Sequence, residues 1–166
     1  MKNFNTVVIS LFIMVFTAPH SYAEEIDNMP APDFTLKSNT GSNIRLAEQR
    51  GNVVMLNFWA SWCAPCRQEM PHLNALSEQY SPLGFNLLGI NVDEDSLAAE
   101  RAINELKVAF PVLFDPDSSI ADLLAVDAMP TTIIIDKDGN IRHWHRGYQS
   151  GYEDSYAEQV AQLIRE

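Results

Sequence analysis

The segment Val53-Val54-Met55-Leu56-Asn57-Phe58-Trp59-Ala60-Ser61-Trp62-Cys63-Ala64-Pro65-Cys66-Arg67 changes character midway. Its first seven residues are almost continuously apolar and follow the turn-forming pair Gly51-Asn52. Such a run fits a strand buried on both faces. From Pro65 to Tyr80 the period becomes helical, with Met70, Leu73, Leu76 and Tyr80 on one side. At the join stand two cysteines separated by two residues. That spacing can close a small disulfide ring where a helix begins. Cys63 is expected at the helix start, exposed and close to unpaired backbone N–H groups, which together with the helix dipole favour a thiolate. Pro65 falls in the first turn, where its missing N–H costs nothing. Cys66 lies deeper. Cys63 is therefore expected to attack or be attacked, and Cys66 to resolve the mixed disulfide.

Three other uses of the pair fit it less well on physical grounds. A purely structural disulfide this tight closes almost no chain and gains little from loop entropy. A zinc site needs more ligands than one C-x-x-C supplies, and the chain has only 2 cysteines. Two inert core cysteines fit poorly with the Trp and Pro around them. Redox exchange is the expected chemistry.

Outward from this segment the pattern alternates. Phe34–Leu36 reads as a short strand and 39–42 as a turn. Phe85–Val92 is a second apolar strand, and Ser96–Val108 a helix capped by Ser96. Val112–Phe114, a short helix from Ser119 to about Val126, and the β-branched strand Thr131–Ile135 follow. Asp138-Gly139-Asn140 turns into a strand over Ile141–Arg146, and Gly151–Arg165 is an amphipathic helix. The expected fold is α/β, a mixed central β-sheet with helices on both faces.

The chain has 166 residues, enough for one domain, with 22 Asp+Glu against 11 Lys+Arg and a formal charge of −11. That balance argues against nucleic-acid binding and against docking to anionic lipid, both of which need basic clusters. No repeat or low-complexity tract is visible. At the N-terminus, Lys2 precedes an apolar run over Val7–Phe16 that is too short to span a bilayer. Small residues at Ser21 and Ala23 then form an A-x-A-like site. Residues 1–23 are expected to be a cleavable signal peptide, removed after Ala23, and 24–166 the exported domain, with both cysteines in an oxidising compartment. Glu24–Pro32, acidic and with two prolines, is expected to be an extended lead-in.

Trp62-Cys63-Ala64-Pro65-Cys66 after an apolar strand, with Met129-Pro130-Thr131 before a later one, resembles the thioredoxin superfamily. Ala31-Pro32-Asp33-Phe34-Thr35-Leu36, the stretch Asn57 to Arg67, Glu69-Met70-Pro71 and Pro130-Thr131-Thr132 together resemble the TlpA/ResA-like thiol-disulfide oxidoreductases, over nearly the whole chain from Pro30. The resemblance implies a thioredoxin-like fold and a redox-active Cys63–Cys66 pair. It also implies a cis Met129-Pro130 peptide whose loop presents backbone to a partner, with Trp62 and Met129 bordering that partner. Pro71 is expected to kink its helix.

Several residues carry two readings. Glu69 shares a helical stripe with Cys66 and Cys63. It either tunes the thiols and relays a proton to Cys66 or is a solvated helix charge. Glu94 is either a second acid near the cysteines, as the resemblance suggests, or part of an acidic surface loop. Arg67 either favours the Cys63 thiolate or is simply exposed. His143 and His145 fall on one face of a strand and could bind a metal. Otherwise they are polar residues of a half-exposed strand.

Ala64-Pro65 lacks the His that strong periplasmic oxidants carry between their cysteines, and Glu69 opposes a very low thiolate pKa. Both features lean toward a reductant. An exported reductant needs electrons from a membrane thiol reductase. By resemblance its substrates are apocytochrome c thiols or copper-site cysteines. Where the cytochrome-maturation subgroup usually has Gly-Ala-Pro-Glu, this chain has Ala128-Met129-Pro130-Thr131. The expectation is a periplasmic monomer acting on disulfide-bearing proteins, without a cofactor. Two alternatives remain. A thiol peroxidase needs a Thr where this chain has Ala60. A copper-binding protein would use Cys63, Cys66 and a His such as His145.

Overall fold

The computed structural model describes residues 29–166. The expected signal peptide, its cleavage after Ala23 and the first part of the lead-in lie outside the described residues. The strands are β1 (Met29–Pro30), β2 (Thr35–Lys37), β3 (Asn43–Arg45), β4 (Val53–Trp59), β5 (Phe85–Asn91), β6 (Val112–Phe114), β7 (Thr131–Ile135) and β8 (Asn140–Arg146). The helices are α1 (Ala64–Tyr80), α2 (Ser96–Glu105), α3 (Ser119–Leu123) and α4 (Tyr152–Arg165).

The main sheet has the order β1-β8-β7-β4-β5-β6, and β2 and β3 form a separate hairpin. All seven residues of β4 are buried. It lies parallel to β5 and antiparallel to β7, so its backbone is saturated on both sides. This is the central strand that the apolar run predicts.

Helices cover both faces of the sheet. On one face α1 packs against α4 and β5, and Arg67 of α1 bonds to Glu105 of α2 at 3.2 Å. The side chains of β8 alternate. His145 meets Tyr156 of α4, whereas Trp144 lines a groove with Leu123 and Leu124, which places α3 on the opposite face. The mixed α/β expectation therefore holds.

Some boundaries differ from the sequence reading. Asp95, not Ser96, caps α2: its carboxylate accepts from the Leu97 N–H at 2.9 Å. A carboxylate also suits the positive end of a helix. The helix stops at Glu105 rather than Val108, because Lys107 is left-handed with φ 52°. α3 ends at Leu123, and Ala125 is left-handed with φ 51°. α1 continues through Pro71 to Tyr80.

Gly89 sits opposite Asn57 in the β4–β5 register. A Cβ there would lie 3.0 Å from Phe110 Cε2 and 3.2 Å from Trp59 Nε1. Both neighbours are buried rings. Gly89→Ala is expected to cost about 1–3 kcal/mol by overpacking, read as a lower urea midpoint at unchanged m-value.

Candidate redox site at the β4–α1 junction

Cys63 and Cys66 form a disulfide with an S–S distance of 2.02 Å. Cys63 is the N-cap of α1 and keeps extended backbone angles (φ −84°, ψ 105°). Its sulfur accepts from the Cys66 N–H at 3.2 Å, and its carbonyl accepts from the Arg67 N–H at 3.1 Å. Pro65 stands in the first turn, where no intrahelical donor is lost. In this oxidised ring Cys63 is only 5% exposed and Cys66 0%. The expectation of an exposed Cys63 is corrected here: its sulfur turns inward to bond Cys66, and the neighbouring Trp62, 70% exposed, takes the solvent-facing position.

The loop before Cys63 is fixed by a residue that sequence reasoning passed over. Asp93 is buried beyond the end of β5. It accepts from the Ser61 N–H at 2.8 Å, the Ser61 hydroxyl at 2.9 Å and Asn91 Nδ2 at 2.8 Å. Within Asp93-Glu94-Asp95 the sequence gives no sign of which acid turns inward. Glu94 is exposed. It lines a groove of about 620 Å³ together with Trp62, Asp93, Asp117 and Met129. Glu94 is thus a rim residue of the surface beside the cysteines.

The peptide Met129-Pro130 is cis. Pro130 is buried, and its carbonyl accepts from Gly147 N–H at 2.7 Å, so the loop is tied to the end of β8. Met129 and Trp62 border the same groove, which brings the two sequence motifs to one surface. Arg67 is bonded to Glu105 on the protein surface.

Glu69 is fully buried, so it is not a solvated helix charge. It lies one turn after Cys66 on α1. Asn57 Nδ2 donates to Glu69 Oε2 at 2.9 Å and to Thr132 Oγ1 at 3.0 Å, and the Tyr156 hydroxyl donates to Glu69 Oε1 at 2.9 Å. Burial pushes the Glu69 carboxyl up to about 7 despite these donors. It therefore changes charge near neutral pH. Asn57 Oδ1 is buried and has no hydrogen-bond partner among the described residues. A half-turn of that amide would present Oδ1 to a protonated Glu69 as an acceptor. Tyr156 was also missed. In an amphipathic helix a tyrosine at a core position reads as packing, and nothing local links it to Glu69.

His145 Nε2 is 2.8 Å from Gln159 Oε1, and its ring packs edge-on against Tyr156. Among the described residues no group of three or more His, Cys, Asp or Glu is placed to hold a metal ion. Ala60 is buried directly after β4 and offers no hydroxyl to the cysteines.

A dithiol/disulfide pair at the start of a helix, between a buried strand and a cis-proline loop, defines a thioredoxin-like redox domain. The chain belongs to the AhpC/TSA family, whose sequence profile matches residues 28–144. It is similar to the thiol-disulfide oxidoreductase ResA of Geobacillus kaustophilus, at 38% identity over 112 residues, 68% of this chain and 64% of the relative. The aligned part thus spans just under two thirds of that relative's length. The ResA of Halalkalibacterium halodurans is 33% identical over 135 residues, 81% of this chain and 75% of the relative. Among solved structures, a Chlorobium tepidum protein assigned as the thiol:disulfide interchange protein DsbE superposes with a TM-score of 0.80 at 33% identity, covering 83% of this chain and 97% of that one.

Proposed function

We propose that the protein is an exported thiol-disulfide oxidoreductase that reduces specific partner disulfides. The observation that carries this reading is the Cys63–Cys66 disulfide closing the first turn of α1 beside a groove shared by Trp62 and Met129. The names of the relatives support the class of chemistry.

In the reduced protein the Cys63 thiolate attacks one sulfur of a partner disulfide. That S–S bond breaks, the other partner sulfur leaves as a thiolate, and a Cys63–partner mixed disulfide forms. The Cys66 thiol then loses its proton, and its thiolate attacks Cys63 Sγ. The second partner sulfur leaves, and the Cys63–Cys66 disulfide is restored. Two electrons have passed from this chain to the partner. Glu69, one turn away and able to change charge near pH 7, takes the Cys66 proton in this direction and returns it in the other. Trp62 and Met129 bound the docking surface, and the Pro130 loop offers backbone to the partner.

Reductant rather than oxidant is the direction favoured by Ala64-Pro65, which carries no histidine between the cysteines, and by the buried Glu69 carboxylate, which disfavours a neighbouring thiolate. An exported reductant draws electrons from a membrane thiol reductase. The domain after Ala23 acts as a periplasmic monomer. No helix among the described residues is long and apolar enough to cross a membrane. Apocytochrome c thiols and copper-site cysteines are the partner classes in view, although Ala128-Met129-Pro130-Thr131 departs from the cytochrome-maturation pattern.

The test is the reduction potential of the Cys63–Cys66 pair in a glutathione or dithiothreitol series. A value near about −250 mV or below fits a reductant fed by a membrane donor, and one near about −120 mV makes the protein an oxidant.

A further inference from the structure

Glu69 is reached from three elements besides its own. Asn57 of β4 and Tyr156 of α4 donate to it directly, and Thr132 at the start of β7 stands next to it, bonded to the same Asn57 amide. The strand donor is an amide that can turn over and become an acceptor. The phenol is different. Tyr156 is 1% exposed, its ring meets His145 at 5.0 Å and Tyr152 at 6.4 Å, and its hydroxyl ends on Glu69 Oε1. The ring is held on two sides, so the hydroxyl has a fixed place. Burial raises the tyrosine's own pKa, which keeps it a donor throughout the working range. A donor that never ionises favours the charged form of the carboxyl it touches.

We propose that Tyr156 is a positioning residue for the redox site. Its hydroxyl, delivered by α4, holds the Glu69 carboxyl beside Cys66 and sets the pH at which that carboxyl gives up its proton. The functional side of this statement rests on Glu69 serving Cys66 as proposed above. The positioning itself is measured on the carboxyl and is judged separately.

The other charges around Glu69 are accounted for. Glu153, one turn before Tyr156 on α4, adds a negative charge that opposes ionisation of Glu69. Glu153 in turn accepts from the Tyr148 hydroxyl at 3.0 Å and the Gly151 N–H at 2.9 Å, and lies 3.9 Å from His72 Nδ1 of α1. None of those contacts uses the Tyr156 hydroxyl. Tyr156→Phe keeps the buried ring and deletes one donor, so it isolates the contact.

The experiment follows the carboxylic-acid C=O infrared band of Glu69 as a function of pH in the full chain, with Glu69→Gln identifying the band by its loss. In Tyr156→Phe the midpoint of its disappearance is expected to move up by about one pH unit, tenfold in the protonation constant. Tyr156→Met, which fills the site without any donor, is expected to shift the midpoint in the same direction and serves if the phenylalanine variant is poorly folded. The rate at which the reduced protein releases nitrothiobenzoate from dithiobis(nitrobenzoate) is expected to show its pH inflection displaced by the same amount. A midpoint unchanged in both variants overturns the proposal and leaves Tyr156 as packing. A displaced band midpoint with an undisturbed exchange profile supports the positioning and overturns the role of Glu69 toward Cys66.

Discussion

Cys66→Ser is expected to accumulate a covalent adduct between Cys63 and its partner, visible as a reducible band or mass addition, while catalytic turnover falls by at least about a thousandfold. Cys63→Ser is expected to lose turnover to the same extent without trapping anything. The asymmetry follows from the fold. Cys63 caps α1, where the first-turn N–H groups and the helix dipole stabilise its thiolate, and it follows the exposed Trp62. Cys66 is fully buried on the helix, where a partner sulfur cannot approach it. Once Cys63 has attacked, only a sulfur at position 66 is near enough to release the partner. Trapping by Cys63→Ser and not by Cys66→Ser would reverse the two roles. A variant pair that both retain turnover would remove exchange chemistry from the site.

The second large effect is on stability against pH. The Glu69 carboxyl is pushed from its ordinary 4.5 up to about 7, first of all by burial. The folded protein therefore holds this proton more tightly than the unfolded chain does. Between those two values the folded state is protonated while the unfolded state is not, so the group's contribution is full below about pH 4.5 and is lost as pH rises through about 7. The size of the shift corresponds to roughly 3 kcal/mol. Glu69→Gln cannot ionise. Its amide can accept from Tyr156 and, after a half-turn of Asn57, donate to Asn57 Oδ1. Its stability relative to the unsubstituted chain is expected to grow by about 3 kcal/mol from pH 4.5 to pH 8, read from urea unfolding at each pH. Parallel stability curves would mean that Glu69 does not titrate in this range.

The central strand and the redox pair were legible because their signals are local. Val53–Trp59 is an unbroken apolar run, and Cys63 and Cys66 sit where its period changes. β3 was missed because Asn43-Ile44-Arg45 has one apolar residue, and β1 because two residues carry no periodicity at all. Helix ends were set by single left-handed residues such as Lys107 and Ala125, types that do not advertise a positive φ. In the site, the fate of the acids was the blind spot. Asp93 and Glu94 are neighbours of the same charge type, yet one is buried under Ser61 and the other lies on a groove rim. Glu69 shares a helix with many polar residues, and only the arrival of Asn57 and Tyr156 from distant elements shows that it points inward. Long-range partners are what a linear reading cannot supply.

The antiparallel pairing of β4 with β7 sets Asn57 directly across from Thr132. It also sets the end of β4, which leads to the cysteines, against the beginning of β7, which follows the Met129-Pro130 loop. The two strands thus work as a ruler, with one scale for the depth of Glu69's surroundings and another for the alignment of the two loops that carry Trp62 and Met129. Adding or deleting a single residue in either strand would turn every side chain beyond it to the opposite face. Asn57 or Thr132 would then leave the carboxyl, and the two loops would lose their alignment in the same stroke. These two short segments must therefore keep their length.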